Sequence, residues 1–105
     1  MATRTPRMTQ IEELLADDPS DPFLRYGLAM EYASAGEDAT AADHLLRLTA
    51  DSPYVPAFHQ AGQVLNRLNR VPEACDALRR GIAAAKSQGN GHAEGEMTTL
   101  LMSIE

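Results

Sequence analysis

The chain is predicted to fold as an all-α helical solenoid of about six antiparallel helices. Three observations predict this class. A ten-residue pattern, Ala-x-Asp-x-Leu-x-Arg-x-x-Ala, occurs at Ala41, Asp43, Leu45, Arg47 and Ala50, and recurs 33 residues on at Ala74, Asp76, Leu78, Arg80 and Ala83. Self-similarity at that period marks one supersecondary unit stacked on its own copy. The apolar fraction is 44%, rich in Ala and Leu, with no Trp and only 5% aromatic residues. Ala and Leu lose little entropy in a helix, whereas β-branched residues favour strands. Breakers at Asp18-Pro19, Gly36, Ser52-Pro53 and Gly89-Asn90-Gly91 separate segments whose apolar residues recur at helical spacing.

Residues 1–8 read as a loose tail. Thr9–Asp18 reads as a helix, with Thr9 and Glu12 at capping-box spacing and Ile11, Leu14 and Leu15 as its apolar stripe. Asp21 caps the next helix and Pro22 lies in its first turn, where a missing N–H costs nothing. That helix carries Leu24, Leu28 and Tyr32 on one face and ends near Gly36.

The third helix spans about 38–51 and buries Ala41, Leu45 and Leu48, with Asp51-Ser52-Pro53 closing it. Pro56 opens a fourth helix, with Phe58, Ala61, Gly62 and Leu65 inward. Asn69 stands where Gly36 stood, and Asn is the residue that best replaces Gly in the left-handed conformation. A fifth helix begins near Pro72 and runs to about Ser87; a sixth runs from about His92 to Ile104, with Met97, Leu100, Leu101 and Ile104 at helical spacing. Asp43–Arg47 and Asp76–Arg80 have the i,i+4 spacing of surface ion pairs and serve as register marks.

In this order the residues resemble the tetratricopeptide repeat (TPR) family, whose pattern is W-x2-L-G-x2-Y, then A-x3-F, then P, over about 34 residues. The first copy reads Arg25-x2-Leu28-Ala29-x2-Tyr32, Ala41-x3-Leu45, then Pro53; the second reads Phe58-x2-Ala61-Gly62-x2-Leu65, then Ala74-x3-Leu78. Small residues (Ala29, Ala41, Gly62, Ala74) fall where paired helices approach closely. Arg25 departs from the family's aromatic position, and Lys86 stands in place of the second copy's closing proline. The resemblance divides residues 9–105 into a capping helix at 9–18, one repeat at 22–53, a second at 55–87 and a capping helix at 92–104. Two repeats alone are short of the three that usually make a stable stack, which gives the flanking helices a capping role.

The family resemblance implies a protein-binding module whose groove is lined by the first helix of each pair. Carried over position by position, that surface is Phe23, Tyr26, Met30, Ala33 and Ser34, followed by His59, Gln60, Gln63, Asn66 and Arg67. One half is apolar and aromatic, the other amide-rich with a single cation, which suits a peptide or short helix with an apolar anchor and a polar or acidic neighbour. Tyr26 and Arg67 are the expected hot spots by residue type. Family members that grip the acidic C-terminus of a chaperone clamp it with Lys, Asn and Arg. Here Tyr26, Met30 and Gln60 occupy matching places, and a phenol and a thioether cannot hold a carboxylate as those groups do. Arg67, Arg70, Arg79 and Arg80 form the one basic concentration. The alternative to partner binding is self-association as a homodimer through the sixth helix and the charge asymmetry.

The net charge is −6, with ten acids and four bases in residues 1–52 and five of each in residues 53–105. Such a chain repels phosphate, so neither nucleic acid nor an anionic membrane is an expected partner. Its lone cysteine, Cys75, permits no internal disulfide, the N-terminus lacks an apolar stretch of signal-peptide type, and no run nears the about 20 apolar residues of a membrane span. The expected location is the cytoplasm.

No enzymatic chemistry is expected. His92 and Glu96 share i,i+4 spacing with Glu94 nearby, but two ligands on one helix fall short of the three or four that zinc requires, and no Cys/His cluster completes the shell. Cys75 lies on the face expected to pack inward, the setting of an inert thiol. No Gly-rich phosphate loop and no serine elbow occur, so neither cofactor nor metal is expected.

Overall fold

The computed structural model describes residues 4–105, and within them six helices follow one another: α1 Pro6–Asp17, α2 Pro22–Ser34, α3 Asp38–Asp51, α4 Val55–Arg67, α5 Val71–Ser87 and α6 Gly91–Ile104. Polar contacts between opposite helix ends show the helices from α1 to α5 each running antiparallel to the last. The Thr5 hydroxyl donates to Glu31 at 3.3 Å, joining the start of α1 to the end of α2. Arg25 meets Asp51 at 3.0 Å across α2 and α3, Arg67 meets Asp38 across α4 and α3, and Gln88 donates to the Pro53 carbonyl at 2.8 Å across the ends of α5 and α4.

The first helix starts at Pro6, three residues before the expected Thr9. Of the tail expected at 1–8, residues 1–3 lie outside the described residues, and the rest leads into or belongs to α1. Thr5 is the cap: its backbone is extended and its side-chain oxygen accepts from the Met8 N–H at 3.1 Å, while Pro6 occupies the first turn. Thr9 is inside the helix, so the Thr9–Glu12 capping box does not form; Glu12 pairs with Arg4 instead. The early start matters because it places Met8, fully buried, beside Ile11 against α2. At the next helix Asp21 caps as its sequence context predicts, accepting from the N–H groups of Phe23 at 2.8 Å and Leu24 at 3.1 Å.

Three helices end in one repeated turn. Gly36, Asn69 and Gly89 have φ of 81°, 60° and 70°, and the following N–H reaches back five residues: Glu37 to Tyr32 at 2.9 Å, Arg70 to Leu65 at 2.9 Å and Asn90 to Ala85 at 2.8 Å. This satisfies carbonyls that the helix end would otherwise orphan, and it reverses the chain within three residues.

The large core side chains Leu45, Leu48, Leu65, Leu78 and Met97 are fully buried. Two apolar clusters fill the stack, one reaching from α1 to α5 and the other joining α4, α5 and α6. Ala29, Ala41, Ala74 and Gly62 are buried where the helices close on one another. At Gly62 a β-carbon would lie 2.5 Å from the Leu78 side chain. Arg25, at the aromatic position of the repeat, is only 21% exposed and is tied to Asp51, so an ion pair across the α2–α3 hairpin takes the place of ring packing.

The backbones of α2 and α4, and of α4 and α6, come within 8 Å of one another; those of α1 and α3, and of α3 and α5, do not. The row α2, α4, α6 is therefore the crowded, inner side of the curve, and the second helices splay on the outer side.

Candidate protein-interaction surface

The side chains expected to line a groove sit on the two inner helices at spacings that keep each set on one face. Phe23, Tyr26, Met30, Ala33 and Ser34 follow one another along α2; His59, Gln60, Gln63, Asn66 and Arg67 follow along α4. Phe23 and Ser34 are exposed, while Tyr26, Met30, Ala33, His59, Gln60, Gln63 and Asn66 are half-buried. Partial burial is what contact with a neighbouring helix leaves for a side chain that still reaches solvent.

Tyr26 packs on Tyr54, just before α4, with ring centroids 5.5 Å apart and planes tilted by 59°. Burial, and then the neighbouring Tyr54 phenol, push the Tyr26 pKa above its ordinary value, so it stays a neutral donor over the whole physiological range. His59 and Gln63, one turn apart, approach to 3.4 Å through their side-chain nitrogens. The aromatic pair thus involves α2 and the residue before α4, and the His59–Gln63 approach lies within α4.

Arg67 differs from expectation. Its guanidinium donates two hydrogen bonds to the Asp38 carboxylate, at 3.1 and 3.0 Å, in the bidentate geometry that holds arginine most firmly. Hydrogen bonding to Arg67 holds the Asp38 carboxyl below its usual range, and the same bond raises the Arg67 pKa. The other members of the basic concentration are also paired within the chain. Arg70 meets Glu73 at 2.7 Å, Arg79 meets Glu105 at 2.8 Å, and Arg80 donates to the Thr49 carbonyl at 3.1 Å while lying 5.4 Å from the Phe58 ring centre. Arg80 also stands 4.0 Å from Asp76, whereas Asp43 and Arg47, at the same i,i+4 spacing, form no ion pair.

Phe23, 67% exposed, belongs to a second feature that the sequence reading missed. An apolar cleft of about 250 Å³ opens between α1 and α2, lined by Arg7, Gln10, Ile11 and Leu14 from one helix and Phe23, Leu24 and Gly27 from the other. Its signal was present: positions 7, 10, 11 and 14 form a second helix face beside the 8, 11, 15 stripe that packs on α2. Leu14, expected in one packed stripe with Ile11 and Leu15, is instead 55% exposed on the cleft.

The remaining chemistry-bearing side chains are dispersed. The Cys75 thiol is buried in the α4–α5–α6 cluster. His92 lies 3.2 Å from Glu96 on the exposed face of α6, and among the described residues no three His, Cys, Asp or Glu side chains converge. His44 stacks on Tyr32 with centroids 5.2 Å apart and planes within 17°.

The family model described as "Tetratricopeptide repeat" matches residues 1–55, the stretch that holds α1, α2 and α3. A TPR repeat-containing protein of Pseudomonas aeruginosa is 31% identical over 96 residues, covering 90% of this chain and 91% of its own length. A solution structure of a tetratricopeptide repeat domain protein from Salinibacter ruber superposes with a TM-score of 0.78 at 30% identity, covering 84% of this chain and 90% of its own. A crystal structure of a tetratricopeptide repeat domain protein from the same organism gives a TM-score of 0.74 at 28% identity, covering 80% and 94%. The matches span 90% or more of each relative's own length, the family model covers just over half of this chain, and the chain belongs to the tetratricopeptide repeat family.

Proposed function

We propose that this protein binds a peptide or short helix of another protein along the inner surface of α2 and α4, as a non-enzymatic adaptor or scaffold. Tetratricopeptide repeats in general mediate protein–protein interaction, and no helix among the described residues is long and apolar enough to cross a membrane. A cytoplasmic location is part of the same reading.

The observation that supports the groove most directly is the contact row α2–α4–α6. It puts the partly exposed Tyr26, Met30, Gln63 and Asn66 on two adjoining inner helices. The aromatic pair offers an apolar anchor site and the amides offer hydrogen bonds to an extended backbone. With Arg67 held by Asp38, a polar neighbour to that anchor is favoured over an acidic one. The alternative, a homodimer through α6, is weakened by burial: Met97 is fully buried and Leu101 is 9% exposed, so most of the apolar stripe caps the second core cluster, leaving Met102 at 71%.

The test is a peptide array probed with wild-type protein and with Tyr26→Ala and Asn66→Ala. Hits that share an apolar anchor and are lost in both variants, at nearly unchanged melting temperature, support the groove. Hits bound equally by all three proteins overturn it. Homodimerisation is read separately by light scattering, where a mass that doubles with concentration and reverts in Met102→Glu supports the alternative.

A further inference from the structure

We propose that the cleft between α1 and α2 is a second docking site, which takes one amphipathic helix of a partner protein. That helix lies antiparallel to α1, with large apolar side chains in the cleft and Lys or Arg near its N-terminus beside Asp17 and Asp18. The site shares only Phe23 with the groove and stands whether or not the groove binds a peptide.

The repeat order defines the vacant place. Every inner helix after α2 packs on the outer-type helix before it and on the inner helix before that: α4 on α3 and α2, α6 on α5 and α4. In register, α1 is an outer-type helix. The place antiparallel to α1 and beside α2, where an inner helix would complete the pair, is unfilled among the described residues. Its walls have the spacing for a helix. Positions 7, 10, 11 and 14 of α1 form an i, i+3, i+4, i+7 face, the arrangement that receives a helix ridge. Leu14 at 55% exposed and Phe23 at 67% are the largest apolar groups left open on this end. At about 250 Å³ the cleft falls below the usual range for small-molecule sites, and it suits a few side chains inserted from a helix.

Charge fixes the kind of helix and its direction. Asp17 and Asp18 are exposed at the C-terminal end of α1, and among the described residues neither is held in an ion pair; the carbonyl end of α1 adds to that negative field. At the other end stand Arg4, paired with Glu12, and Arg7, 3.5 Å from Glu31 with its side chain 75% exposed. A helix antiparallel to α1 brings its own positive N-terminal dipole end, and any basic residues there, to the two aspartates. Its negative end comes to Arg7. A second copy fits poorly: α6 in that place would set Glu94 and Glu96, near its N-terminus, against Asp17 and Asp18.

The experiment uses two synthetic helical peptides with identical Leu-bearing faces, one headed by two lysines and one by two glutamates, titrated into the full isotope-labelled chain. The lysine-headed peptide is expected to move the amide signals of α1 and of Phe23–Gly27. Its affinity should fall about tenfold or more in Leu14→Glu, a substitution at an exposed position, and stay unchanged in Asn66→Ala. The charge reversal Asp17→Lys with Asp18→Lys should transfer the preference to the glutamate-headed peptide. Lack of binding, shifts that spare α1, equal affinity for both peptides in the wild type, or indifference to Leu14→Glu would each overturn the proposal. So would a wild-type dimer that Leu14→Glu returns to monomer, since a second copy would then be the occupant.

Discussion

Gly81 and Phe58 touch at the one point where α5 has no room for a side chain. A β-carbon at position 81 would stand 2.5 Å from the β-carbon of Phe58 and 2.6 Å from the Met97 sulfur. Glycine in a helix interior is intrinsically unfavourable by about 1 kcal/mol against alanine, so its presence here reflects the approach of α4 and α6 to the same face of α5. Gly81→Ala is therefore expected to destabilise by about 1–3 kcal/mol despite the gain in helix propensity. The Phe58 β-carbon is fixed to the α4 backbone and cannot rotate away. Gly62→Ala meets only the Leu78 side chain and should cost less. Urea unfolding of both variants checks the order; a Gly81→Ala protein more stable than wild type contradicts the packing described.

The turn after α4 depends on a residue that tolerates positive φ. Asn69 sits at φ 60°, where a residue with an ordinary β-carbon is strained by about 1–2 kcal/mol. Asn69→Gly should leave stability within a few tenths of a kcal/mol or raise it, and Asn69→Val should lower it by about that strain. Thermal melts distinguish the two; equal stability of Val and Gly at 69 would contradict the turn.

His44 gives stability a pH dependence. Burial against Tyr32 lowers its pKa first, Arg47 and Arg25 lower it further, and Asp43 opposes them in part. The unfolded chain thus binds a proton at position 44 more readily than the folded one, so the contribution is complete above an ordinary histidine pKa of about 6.5 and is lost as pH falls from there through the depressed folded-state value. The melting temperature should drop as pH falls below about 6.5, and His44→Phe, which keeps a stacked ring, should flatten that step. A step of the same size in His44→Phe would place its cause elsewhere.

The Arg67–Asp38 pair acts in a lower range with the same sign. The Asp38 pKa is depressed, so its contribution is present above an ordinary aspartate pKa of about 4 and disappears as pH falls through the depressed value. The pair is partly exposed, and Arg67→Ala should cost no more than about 1 kcal/mol at neutral pH. A larger loss on chemical denaturation would give Arg67 a packing role beyond its ion pair.

The all-α repeat was legible because its signals are local. Apolar spacing, the Asp21-Pro22 cap and the Gly36/Asn69 correspondence all act within one or two turns, and the structure bears out those positions through Asp21's two hydrogen bonds and Asn69's positive φ. The long-range pairs were not legible. Arg67 finds Asp38 across 29 residues, and Arg25 finds Asp51 across the whole α2–α3 hairpin; no local spacing marks either pair. Conversely, the i,i+4 spacing of Asp43 and Arg47 promised an ion pair that does not form, since on an exposed helix the gain barely exceeds the entropy of holding two long side chains. Gly81 was hidden because a packing glycine and a solvent glycine look alike in sequence. The Thr9–Glu12 spacing read as a capping box, whereas Thr5 caps the helix with Pro6 in its first turn; Leu14, read into the packed stripe, stands exposed on the cleft, because helical spacing does not tell which of two adjacent faces a neighbouring helix covers.

The central claim is that the inner surface of α2 and α4 receives a peptide. It is tested most directly by mapping amide shifts of the labelled protein while a peptide taken from the array is added. The account predicts perturbations centred on Tyr26, Met30, Gln63 and Asn66, saturating at one peptide per chain. Perturbations confined to α3 and α5, with those four residues silent, would contradict it.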